Sequence, residues 1–123
     1  MRDRIADFEF TEQGDVVIAS FSGEIDSSNA GELRLALAER LPATASGLVL
    51  DLSDVSYLDS SGIQLLFDLG RRLAARRQGI RLVVPESAPM RRVLELCAVE
   101  SVAPMHAQLD EAVSASAADP GRS

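Results

Sequence analysis

"LVLDLSDVSYLDSSGIQLLFDLGRRLAARR", residues 48–77, changes its hydrophobic period once, and that change decides the fold. Residues 48–52, "LVLDL", are a short apolar run of strand length and read as a strand buried on both sides. Beyond "SDVSYLDSSG", Ile63, Leu66, Phe67, Gly70 and Leu73 fall on one face of a helix. Gly79 is placed to stop that helix. A doubly buried strand that feeds a helix belongs in a sheet with crossover connections.

The flanking segments repeat the pattern. Upstream, "FEFT" alternates, "EQGD" is a polar link of hairpin length, and "DVVIASFSG" (15–23) is a β-branched strand closed by Gly23. "EIDSSNAGELRLALAERL" then places Ala30, Leu33, Ala36, Leu37 and Leu41 at helical spacing, with Asn29 and Glu32 resembling a capping box and Pro42 as the stop. Downstream, "IRLVVPE" is a strand cut off by Pro85, and Met90, Val93, Leu94 and Cys97 form an amphipathic stripe. The segment after Ser101 holds a short edge strand and a last helix from about Leu109.

The order β-β-α-β-α-β-α, then β-α, predicts a single α/β domain. Its sheet is mostly parallel, of four to five strands, with an N-terminal antiparallel strand and helices packed on it. The expected domain covers residues 1–115, with 116–123 a disordered tail.

Composition narrows the function. The chain has 123 residues and a formal net charge of −7, the wrong sign for nucleic acid or an anionic membrane surface. Cys97 is the only cysteine, so no disulfide framework exists. No apolar run approaches membrane-spanning length, and "MRDRIADFEF" lacks a signal-peptide core. The expected location is cytoplasmic.

Catalytic groupings are sparse. His106 is the only histidine, in a weakly structured stretch without an evident nucleophile, and Cys97 reads as a core thiol. No metal-ligand cluster or Gly-rich phosphate loop is present, so the chain reads as a non-enzyme without cofactors. The basic residues Arg71, Arg72, Arg76, Arg77 and Arg81 read as a solvated face.

Two turns at strand C-terminal ends carry similar chemistry: "GEIDSSN" and "DSSG" each set an acid and adjacent serines before a helix. In the second, Ser61 and Gln64 fit an S-x-x-Q capping box, which leaves Ser60 outside the helix with a free hydroxyl. Gly62 keeps the approach to that hydroxyl open. Asp59 is the alternative cap and would shift the register by up to two residues.

"GEID", "DLSDVSYLDSSGI" and "GIRLVVPE" followed by an amphipathic helix resemble a STAS domain of the bacterial anti-anti-sigma (anti-sigma factor antagonist) type. The resemblance covers roughly residues 8–115. It implies that the unphosphorylated form binds an anti-sigma factor with serine kinase activity and frees a sigma factor. Phosphorylation of the serine after the Asp, here Ser60, would end binding, and a PP2C-type phosphatase would restore it. Glu24, Asp26, Ser27, Asp59, Ser60, Ser61 and Gly62 would then form the partner surface. ATP and metal would belong to the kinase. The alternative is a STAS-fold scaffold or lipid-transport accessory subunit without a phosphoswitch.

Overall fold

The computed structural model describes residues 6–118. The elements are β1 (Ala6–Gln13), β2 (Val16–Ile25), α1 (Ala30–Arg40), β3 (Gly47–Leu58), α2 (Ser60–Ala75), β4 (Gly79–Val83), α3 (Arg91–Leu96), a 3₁₀ turn (Val99–Ser101), β5 (Met105–His106) and α4 (Leu109–Ala118). The sheet has the order β1-β2-β3-β4-β5. β1 pairs antiparallel with β2, and every other pairing is parallel. The expected fold class holds.

Alternation along the strands divides the core between the two faces of the sheet. Val17, Ala19, Leu48, Leu50 and Leu82 share one cluster with Leu33, Leu37, Leu65, Leu66, Leu69 and Leu73 of α1 and α2. Val16, Ile18, Val49 and Val83 point the other way, against Ala112 and Val113 of α4. Each large side chain so buried contributes about 1.5–3 kcal/mol. These Leu and Val side chains therefore provide the core that the scarce aromatics do not.

Several local expectations need correction. The strand read as 48–52 extends to Leu58, and β2 passes Gly23 to end at Ile25. Between Ser20 and Ile25 the pairing with β3 shifts register twice, so five steps of β2 match seven of β3. These bulges space the buried residues Leu52, Val55 and Leu58 three apart, which hides the strand's period of two. The stripe on α2 also includes the buried Leu65 and Leu69.

α2 ends before Gly79. Arg77 takes the left-handed conformation (φ 61°), and Gln78 N–H donates to Leu73 O at 2.8 Å, closing a Schellman turn without glycine. The Gln78 amide is buried and its Nε2 donates to Pro42 O and Ala45 O, both at 3.0 Å, which fastens the helix exit to the loop before β3.

α3 is only six residues long, and Met90 and Leu94 alone of its expected stripe reach the core. Cys97 is exposed and Val93 is 43% exposed, because the helix stops at Leu96 and Ala98 turns left-handed (φ 59°). Cys97 is therefore a surface thiol and not, as expected, part of the core.

His106 lies in β5, where Arg81 Nη1 sits 3.1 Å from its Nε2. Burial, and then the Arg81 charge, hold its pKa below the usual histidine value, so the neutral ring accepts from the guanidinium. The boundary expected at residue 115 falls inside α4, and Ser116 is buried. The tail beyond Ala118 lies outside the described residues. No helix among them is long and apolar enough to cross a membrane.

Candidate functional site

The two acid-and-serine turns come together because β2 and β3 are parallel neighbours. Glu24 is in register with Tyr57 and Ile25 with Leu58, so both strands leave the sheet at the same edge. Asp59 N–H donates to Ile25 O at 3.2 Å and joins the second turn to the first.

Each turn is shaped by a side chain that folds back on its own backbone. Asp26 Oδ1 accepts from the N–H of Ser28 (3.0 Å) and from its hydroxyl (2.6 Å). Asn29 is buried and bridges the turn, with Nδ2 donating to Glu24 O and Oδ1 accepting from Asp26 N–H, both at 2.9 Å. The capping-box reading of Asn29 with Glu32 is thus replaced. Asn29 occupies the N-cap position, but its amide serves the preceding turn instead of the helix.

At the second turn the cap is Asp59, not Ser61. Asp59 Oδ1 accepts from Ser61 N–H at 2.8 Å and from Gly62 N–H at 3.2 Å. A carboxylate satisfies both orphan donors and complements the helix dipole, so it outcompetes the serine hydroxyl. The Ser61–Gln64 box does not form, and Gln64 lies exposed one turn into α2. Asp59→Ala should therefore lower stability by about 1 kcal/mol. Urea denaturation would show this as a lower midpoint with an unchanged slope.

Ser60 becomes the first residue of α2 and is exposed. Among the described residues no hydrogen bond holds its hydroxyl. Its own N–H is the one that the Asp59 cap leaves over from the first helical turn. Gly62 is buried, and its role differs from the expected one. A Cβ there would stand 2.5 Å from Leu58 Cδ1 and 3.2 Å from Ile25 O, so glycine lets the helix start against the strand ends.

A cavity of about 220 Å³ opens between the starts of the two helices, lined by Ser27, Ala30, Arg34, Ser60, Ser61 and Gln64. Arg34 is its only cationic lining group, and sequence reasoning missed it because a lone arginine inside a polar helix face carries no signal. Tyr57 was also missed; it is 51% exposed at the end of β3, beside Glu24. The one tyrosine of the chain, next to Leu58-Asp59, was the available hint. Of the residues read from the sequence, Glu24, Ser27 and Ser60 are exposed, Asp26, Asp59 and Ser61 half-buried, and Gly62 buried. The arginines do not form one face. Arg71 pairs with Asp68 at 3.0 Å, while Arg81 lies on β4 beside His106.

No group of three or more His, Cys, Asp or Glu among the described residues could hold a metal ion. The edge offers exposed hydroxyls, carboxylates and an open aromatic ring, which suits recognition of a protein surface.

Comparison with known proteins fits this geometry. A family profile described as the STAS domain matches residues 7–112. The anti-sigma-F factor antagonist RsfB of Mycobacterium tuberculosis is 28% identical over 100 residues, covering 80% of this chain and 80% of its own length. The crystal structure of an anti-sigma factor antagonist from Mycobacterium paratuberculosis is 29% identical, covers 89% of this chain and 92% of that one, and gives a TM-score of 0.79. The anti-sigma factor antagonist SpoIIAA in its unphosphorylated form shares the fold at 20% identity, with a TM-score of 0.69 over 91% of this chain and 98% of that one.

Proposed function

The chain belongs to the STAS domain family and stands with its anti-sigma factor antagonists, and on that premise we propose that it works as a phosphorylation-controlled switch at Ser60. In this reading the unmodified edge built from Glu24, Asp26, Ser27, Tyr57 and the Asp59–Gly62 turn binds an anti-sigma factor and frees a sigma factor. The partner is also a serine kinase and supplies ATP and its metal. It transfers the γ-phosphoryl group to Ser60 Oγ: an O–P bond forms, the bond to the β–γ bridging oxygen breaks, ADP leaves, and the hydroxyl proton passes to the kinase's base. A PP2C-type phosphatase returns the hydroxyl by hydrolysis. The setting is the bacterial cytoplasm.

The observation that carries this reading is the state of Ser60. Its hydroxyl is exposed and unbonded among the described residues, while the neighbouring Asp59 does the capping that would otherwise tie it down. A scaffold has no need of such a group.

The test is an intact-mass spectrum of the chain isolated from its native cells, with and without the stimulus that activates the sigma factor. The expected result is a population heavier by one phosphate, absent in Ser60→Ala. A chain that never carries phosphate under either condition, or one that still carries it in Ser60→Ala, overturns the assignment.

A further inference from the structure

The cavity between α1 and α2 has a modifiable hydroxyl at one end and a cation at the other, and the switch as described leaves the cation without a task. On α2, Ser60, Gln64 and Asp68 stand at i, i+4 and i+8, one line along the helix about 12 Å long. Ser27, in the turn before α1, and Ala30 and Arg34 of α1 line the opposite wall. Arg34 belongs to this lining, and its Nη2 donates to Asp68 Oδ2, four residues beyond Gln64 on α2, at 3.1 Å.

That ion pair can be exchanged. Both of its side chains are about one-third exposed, at 32% and 31%, and such pairs hold weakly. Asp68 also has a second arginine, since its Oδ1 accepts from Arg71 Nη2 at 3.0 Å. If Arg34 turns away, Asp68 keeps a cation. The slot holds about 220 Å³, several times the roughly 30 Å³ that one water occupies in the liquid, so it has room for a phosphate group.

We infer that Arg34 is the intramolecular docking residue for phosphate on Ser60, exchanging Asp68 for the phosphoryl oxygens once the serine is modified. This rests on the Ser60 switch proposed above. A guanidinium offers two parallel donors to a phosphate, a stronger pairing than one exposed bond to a carboxylate. The Ser60 N–H and the Gln64 amide add neutral donors along the same wall. Asp26 and Asp59, the chain neighbours of the lining residues Ser27 and Ser60, repel the dianion and bias it toward Arg34. The docked phosphate fixes the modified serine in one geometry and ties α1 to α2 across the slot. No further covalent bond is made or broken.

The experiment uses the full chain with phosphoserine inserted at position 60 during translation, so no kinase is needed. The second pKa of the phosphate is read by ³¹P NMR titration. R34Q should raise it by about half a unit to one unit relative to the parent phosphoprotein, R34K should fall between, and D68N should lower it by freeing Arg34. Superimposable curves for the parent, R34Q and D68N overturn the inference. Should R34Q not fold, the opposite shifts expected of R34K and D68N still decide it. Partner affinity measured on the same samples separates the two claims. If phosphate weakens binding but R34Q leaves the titration unmoved, the switch stands and the docking role falls. If phosphate leaves binding unchanged, the switch itself falls.

Discussion

Ser60→Asp should bind the proposed anti-sigma partner at least about 100-fold more weakly, a loss of about 2.7 kcal/mol, while its helical circular dichroism stays that of the parent. The new charge acts in opposite directions on the fold and on the interface. At the first position of α2 a negative charge meets the positive end of the helix dipole, so the folded chain tolerates it. At a docked surface the same charge must be stripped of water beside Asp59, and desolvating a charge at an interface is costly. Titration calorimetry with the purified partner reads the first quantity, and a thermal melt the second. Unchanged affinity would remove Ser60 from the interface. A melted helix would make the effect one of stability and defeat the interface account.

Gly62→Val should cost about 2–4 kcal/mol of folding stability, the largest loss expected from one substitution at this edge. The first carbon of any side chain at this position lies 2.5 Å from Leu58 Cδ1, 2.9 Å from Leu58 Cγ and 3.2 Å from Ile25 O. Leu58 is buried, and Ile25 O is the acceptor for Asp59 N–H. A branched side chain must therefore push α2 away from both strands and disturb the cap. Gly62→Ala should lose less, because the Leu58 methyl can swing aside and helix propensity returns about 1 kcal/mol. Urea midpoints for the two variants check both magnitudes. A Gly62→Val chain as stable as the parent would show that the helix start is not closely seated.

The alternation of strand and helix was legible because Leu48, Leu50, Leu66 and Leu73 lie where one period holds for a whole element. Legibility failed where a second requirement bent the local rule. The last half of β3 reads as polar turn because two bulges space its buried residues by three. Asn29 reads as a cap because its chemistry fits one, yet its amide is taken by Glu24 O and Asp26 N–H, partners that only the folded turn presents. Cys97 fits an apolar stripe that α3 is too short to continue. At the site, the exposed Ser60 could be read from "DSSG". Its capping partner could only be narrowed to two candidates, since Asp59 and Ser61 are both good N-caps and their competition is settled by distance. Arg34 needed the third dimension, because what defines it is the slot between two helices.

β2 also separates the two ends of the molecule. It runs ten residues from the hairpin turn to the edge that carries Ser60, about 30 Å of extended chain. At the near end, Gly14 turns with φ +62°, and a side chain there would meet nothing within 4 Å. Loop tips of this kind accept inserted sequence. A fluorophore or an affinity handle inserted beside Gly14, with the glycine kept for its positive φ, therefore sits at the far pole from the edge that carries Ser60. It offers a way to immobilise or label the protein and compare it before and after a change at Ser60 without touching that edge.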